Sequence, residues 1–112
     1  AMKDNELLEL AAKAVGPKVV RKVECSDGFE LVEMSSWLRW NPLEDDGAAL
    51  RLAVRLNIEF ACFDDSQKVN AGVWSEDSKP YDCMTPYNGD KQAATRRAIV
   101  RAAAEIGKSM QP

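Results

Sequence analysis

Apolar residues recur along this chain with two different periods, and the switches between them predict an order of elements. In Glu6 to Val15 the residues Leu7, Leu8, Ala11 and Val15 repeat at helical spacing, behind Asp4 or Asn5 as a cap and ahead of a Gly16-Pro17 stop. A β-branched run with Val19, Val20 and Val23 follows, then the turn signal Ser26-Asp27-Gly28, then Phe29 to Met34 as a returning strand. Together these predict a first hairpin. Gly47 to Asn57 is again helical: Ala49, Leu52, Ala53 and Leu56 share a face flanked by Leu50, and Arg51 and Arg55 point away. Asp45 or Asp46 caps this helix and Asn57 stops it. Ile58 to Phe63 alternates as a strand, Asp64 to Lys68 is a turn, and Val69 to Trp74 returns as a second hairpin. Ser75 to Thr85, with Pro80 and Cys83, reads as a polar surface loop carrying at most a short extended piece around Tyr81.

The longest helical pattern is the last. Asn88-Gly89 turns the chain and Asp90 caps a helix from Lys91, with Gly107 as its stop. Ala98, Ile99, Ala102, Ala103 and Ile106 fall on one face. Alanine buries little area, so its use here predicts a close approach to a sheet. Arg97, Arg101 and Lys108 form a basic stripe, and Arg96 sits apart from it. The stripe has two readings. One is a solvated face with Arg101 and Glu105 as an i,i+4 pair. The other is a contact surface for an acidic partner or phosphate.

The expected fold is therefore α+β, in the order α-β-β-α-β-β-α, with a mainly antiparallel four-stranded sheet. Ile58 to Phe63 is apolar on both sides, which favours helices on both faces of that sheet. A length of 112 residues predicts one domain spanning 1-112, and Ala1 ahead of Met2 is expected to be a cloning scar. The net charge of −3 argues against a general nucleic-acid binder. No apolar run approaches membrane-spanning length, and no signal-peptide pattern is present.

Chemistry is sparse. Three widely separated cysteines and no histidine disfavour a zinc site and remove the commonest general base near neutral pH. Cys62 alternates with apolar neighbours and reads as a buried thiol, in keeping with a reducing, cytosolic compartment. Ser35 to Asp46 is irregular and holds Trp37 and Trp40, and Pro42 biases Asn41 towards extended geometry. Trp40, Asn41 and the acidic pair either line a binding site or belong to a loop pinned by buried indoles; the second is the plainer reading. A hydrolase built on Asp45, Asp46 or Cys83 is disfavoured, because nothing in the sequence activates Cys83. No cofactor, catalytic residue or metal ligand set is expected.

Several segments carry a resemblance: Glu6-Leu7-Leu8-Glu9-Leu10-Ala11-Ala12-Lys13-Ala14; Trp40-Asn41-Pro42-Leu43 with Asp45-Asp46-Gly47; Ala49-Leu50-Arg51-Leu52-Ala53-Val54; and Ala93 to Gly107, AATRRAIVRAAAEIG. On these the chain resembles the phage ABA-sandwich domain family, small proteins of phages and prophages grouped as a domain of unknown function. The likeness covers the three expected helices and is poor through Lys18 to Met34 and Gln67 to Cys83. In that family an Asp-Pro-Tyr-like element leads directly into the final helix; here Asn88-Gly89-Asp90 intervenes after Pro86-Tyr87. The resemblance implies an α/β/α sandwich, a phage or prophage origin, action in the cytoplasm of a bacterial host, and no enzymatic activity. The resulting expectation is an accessory protein acting by protein-protein contact with a host or phage factor. Its expected surface combines Trp40, Asn41, Arg96, Arg97 and Arg101, residue types suited to interface hot spots. The alternative is nucleic-acid or nucleotide binding through the arginine-bearing helix faces. A homodimer through an open sheet edge is a further option.

Overall fold

The computed structural model describes residues 3–26, 28–73 and 83–110. The elements are α1 (Asp4–Val15), β1 (Val20–Cys25), β2 (Gly28–Glu33), α2 (Asp46–Leu56), β3 (Ile58–Phe63), β4 (Lys68–Val73), β5 (Cys83–Pro86) and α3 (Lys91–Ser109). The expected scar at Ala1, the turn residue Asp27, the strand end at Trp74 and the loop over 75–82, with Pro80 and Tyr81, lie outside the described residues.

Helix caps follow the sequence closely. Asp45 accepts from the Gly47 amide at 3.1 Å, and Asp90 from the Ala93 amide at 3.0 Å. Asn57 ends α2 in the left-handed region at φ 57°, returning its amide to Ala53 and Val54. Two expectations at helix ends fail. The N-cap of α1 is Lys3, without a side-chain cap bond, because the Asp4 carboxylate is drawn to Arg97 at 2.6 Å. Gly107 does not stop α3, which runs on to Ser109.

Gly107 serves a different purpose. A Cβ built on it would lie 1.9 Å from the Leu10 carbonyl oxygen, so here α1 rests against the bare backbone of α3. Around that point Ala11, Ala103 and Ala104 are almost wholly buried. The alanine-rich face thus permits close approach to a helix as well as to a sheet. Along α3, Thr95 meets Cys62 of β3 and Arg101 meets Thr85 of β5, whereas Arg96, Arg97 and Gly107 meet the α2 and α1 regions. At 100° per residue these two groups fall on opposite arcs. Helix α3 therefore lies between the sheet and the other two helices, and Ala98, Val100, Ala102 and Ala103 are fully buried.

The expected single four-stranded sheet is not formed. β1 and β2 make a two-stranded antiparallel sheet, and β3, β4 and β5 make a separate antiparallel sheet in that order. The second edge of β2 is occupied by residues 38–40: Glu33 donates to the Leu38 carbonyl at 2.9 Å and Trp40 to the Leu31 carbonyl at 2.7 Å. The second edge of β4 is taken by β5, with Val69 opposite Thr85 and Ala71 opposite Cys83. So neither inner strand is free to join the two hairpins. β5 lies within what reads from sequence as loop; Cys83 and Thr85 are buried and Met84 and Pro86 exposed, a period of two over a stretch too short to declare itself. The element order is accordingly α-β-β-α-β-β-β-α.

The layering also departs from a sandwich with helices on both faces. Val69, Ala71, Cys83 and Thr85 of the three-stranded sheet turn inwards under α3. The register puts Ala61 and Met84 on the opposite face either side of Asn70, and Phe63 and Pro86 either side of Lys68. Ala61, Phe63, Met84 and Pro86 are exposed, and no described helix covers that face.

Candidate interaction surface

Helix α2 has two apolar faces. Ala48, Ala49, Leu52 and Ala53 are buried in the core. Leu50 and Val54, spaced i,i+4 and so neighbours on the surface, point outwards with 57% and 70% of their area exposed. Beside them runs a groove of about 510 Å³ lined by Val15, Val19, Trp40, Leu50 and Val54. Its polar rim is Glu33, Arg51 and Arg55. Arg51 pairs with Glu33 at 3.3 Å. Among the described residues no carboxylate comes within ion-pair distance of Arg55.

Next to this groove the chain reverses from β2 into residues 38–40. The reversal holds Trp37 at φ 62°, a left-handed conformation that a bulky residue rarely adopts. Its amide donates to the Glu33 carbonyl at 2.7 Å, which fixes the turn. The indole is 66% exposed and the adjacent Leu38 68%. Residues 38–40 are extended, so Leu38 and Trp40 share a side, and Trp40 forms the groove floor. Strain at an exposed tryptophan is the kind of feature that persists at recognition sites.

The residues expected to form one surface are distributed. Trp40 is 5% exposed and is groove floor rather than a presented anchor. The Asn41 side chain accepts from the Leu43 amide at 3.1 Å and shapes the turn into α2. Arg96 donates through Nε to the Leu43 carbonyl at 2.8 Å and through Nη1 to Asp46 at 2.6 Å, tying α3 to that same turn. Arg97 is held by Asp4. Arg101 donates to the Met84 carbonyl at 3.0 Å and to Thr85 Oγ1 at 2.9 Å, so it fastens α3 to β5 instead of pairing with Glu105. Asn41 and Arg97 do meet, in a polar cavity of about 310 Å³ that also includes Asp4, Arg39 and Glu44. Asp45 and Asp46 are spent on a helix cap and on Arg96.

Four residues that matter here were not singled out from sequence. Trp37 and Leu38 lie in the aperiodic segment, where no period marks a face. Leu50 and Val54 fall about 160° either way from Leu52 on the wheel, on the face opposite the core stripe, where helical periodicity leads one to expect polar residues. Cys62, expected to be buried, is exposed, because β3 is an edge strand; Cys25 is exposed and Cys83 is buried.

A further charged cluster joins Asp64, Tyr87 and Lys91. The Tyr87 hydroxyl donates to Asp64 at 2.8 Å, and Lys91 pairs with Asp64 at 3.0 Å. The Tyr87 bond, with Lys91 second, holds the Asp64 carboxyl below its usual range. Burial, followed by the Asp64 charge, pushes the Tyr87 phenol well above its usual value, and Asp64 raises Lys91. Each group is thereby stabilised in the state it already has near neutral pH. The cluster fastens the start of α3 to the β3–β4 turn. Among the described residues no helix is long and apolar enough to cross a membrane, and no three Cys, Asp or Glu side chains converge as metal ligands.

Comparison of the chain with protein-family models, with curated proteins and with solved structures finds no match.

Proposed function

We propose that this chain is a non-enzymatic accessory protein of phage or prophage origin, of the ABA-sandwich kind its helices resemble, acting in the bacterial cytoplasm by contact with a host or phage protein. The observation that carries the reading is the apolar groove on α2, which Leu50 and Val54, both more than half exposed, line together with Val15, Val19 and Trp40. Tryptophan and arginine are enriched at hot spots, and apolar patches on a soluble surface mark contact sites. The occupant is an amphipathic helix of the partner. Its apolar stripe meets Val15, Val19, Leu50 and Val54, and an acidic side chain beside the stripe meets Arg55. Charge complementarity selects this chemistry, since Arg51 already has Glu33 and Arg55 has no described carboxylate. Nucleic-acid binding is less favoured: the guanidinium groups of Arg96, Arg97 and Arg101 are already engaged by carboxylates or carbonyls of their own chain.

The test is affinity capture from host lysate with the wild type, Leu50→Asp/Val54→Asp and Arg55→Glu. A partner retained at low and raised salt by the wild type and lost by both variants supports the reading, provided that a helical peptide from that partner reproduces the binding. Equal capture by all three proteins, or nucleic acid retained only at low salt, overturns it.

A further inference from the structure

We propose that β3 pairs antiparallel with the β3 of a second copy of this chain, about a two-fold axis at Ala61, joining two three-stranded sheets into one of six strands. This inference is independent of the groove on α2. It begins with a difference between the two edges of the sheet. β5 is short, four residues, and ends in Pro86, which cannot donate to a ladder. β3 has six residues in unbroken register with β4, with no proline and a single charge, Glu59. Among the described residues no strand occupies its other side. Phe60 is 44% exposed and Phe63 47%, so an apolar margin accompanies the open backbone. Monomeric proteins usually blunt such an edge with charge, proline or a bulge.

The occupant is a second copy because the edge is complementary to itself. In antiparallel pairing, residues directly opposite each other point to the same side of the sheet. A two-fold axis normal to the sheet must therefore pass through a residue position, which places both α3 helices on one face. Of the two central positions, an axis at Phe60 would bring the two Glu59 side chains within about two residue steps, ~7 Å along the strand. An axis at Ala61 separates them by about four steps, ~13 Å, and sets each opposite a Phe63. Charge repulsion and apolar cover both select Ala61.

Sedimentation of the full chain over a concentration series tests this, with Ala61→Lys as the disrupting variant. Ala61 is exposed on the open face, so the substitution leaves the core alone. It sets two like charges directly opposite one another. The expected result is a species of twice the 12.4 kDa chain mass, weakened at least tenfold by Ala61→Lys. Register is tested by oxidation in a Cys25→Ser/Cys62→Ser background. Opposed Cα atoms lie ~4.5–5.5 Å apart, within disulfide reach of ~4.4–6.8 Å, so Ala61→Cys links the two chains and Glu59→Cys does not. A single 12.4 kDa species up to about 1 mM overturns the proposal. So does a dimer indifferent to Ala61→Lys, or one linked through Glu59→Cys and not through Ala61→Cys.

Discussion

Gly107→Ala sets helix propensity against packing, and packing should win. In an isolated helix the change would stabilise by about 1 kcal/mol. Here the new methyl would sit 1.9 Å from the Leu10 carbonyl oxygen and 2.8 Å from the Leu10 carbonyl carbon. A carbon–oxygen contact relaxes at roughly 3.3 Å, so α1 must retreat from α3 by more than an ångström at this point. The obstacle is backbone, so no rotamer change relieves it. Ala11, Ala103 and Ala104 are buried in the same interface, and a gap of ~0.5–1 Å forfeits about a quarter to a half of each dispersion contact. Overpacking of this kind costs ~1–3 kcal/mol, here at the upper end. Setting ~3 against ~1 leaves a net loss of about 2 kcal/mol, a large part of the ~5–15 that holds a domain folded. With a urea m-value of ~2 kcal/mol/M the midpoint should fall by about 1 M at unchanged slope. Gly47→Ala is the control: its methyl would meet the movable Arg51 guanidinium at 3.1 Å and the Asp45 carboxylate at an ordinary 3.6 Å, and stability should change by no more than ~0.5 kcal/mol. A Gly107→Ala protein as stable as the wild type would refute the close α1–α3 packing.

Three further outcomes are expected. Asp64 has a lowered folded pKa, so its contribution is present above the ordinary 3.8 and is lost as pH falls through the lower folded value. Tyr87 and Lys91 have raised values, so theirs is present below about 10 and is lost at higher pH. Urea midpoints of Tyr87→Phe across pH should show a flatter decline on both limbs, and an unchanged profile would contradict this. Arg96→Ala should lose about 1–3 kcal/mol by urea titration, because it strands the Leu43 carbonyl in a part-buried site; Asp46→Asn, with its side chain 71% exposed, should lose under ~1. Trp37→Asn should hold or raise stability by up to ~1 kcal/mol while weakening partner binding, since asparagine tolerates the left-handed turn; a marked fall in melting temperature would show the indole to be structural.

Much of the fold was legible because it is local. The caps at Asp45 and Asp90, the stop at Asn57 and the four strand-forming runs short of β5 all depend on neighbours within a few residues. What was not legible depends on distant ones. Gly107 reads as a stop until α1 is placed against it. Asp4 reads as a cap until Arg97 arrives from the other end of the chain. Whether two hairpins share a sheet depends on which edges 38–40 and Cys83–Pro86 occupy, and neither stretch has the length to show a period. The arginines of α3 look like a surface because sequence shows their charge and not their acceptors. Trp40 and Trp37 are chemically alike and three positions apart, yet one is floor and the other is presented; only the turn at φ 62° separates them.

The proposed function rests on the apolar surface that Leu50 and Val54 present beside the groove on α2. Its most direct test is calorimetric titration of the captured partner into wild type and Leu50→Asp/Val54→Asp, across temperature and salt. The expected result is a negative heat-capacity change, weak salt dependence, and a loss of affinity of at least ~30-fold in the variant, about 2 kcal/mol. Affinity that survives the variant within about threefold, under 1 kcal/mol, or that collapses with salt in the wild type, would contradict it.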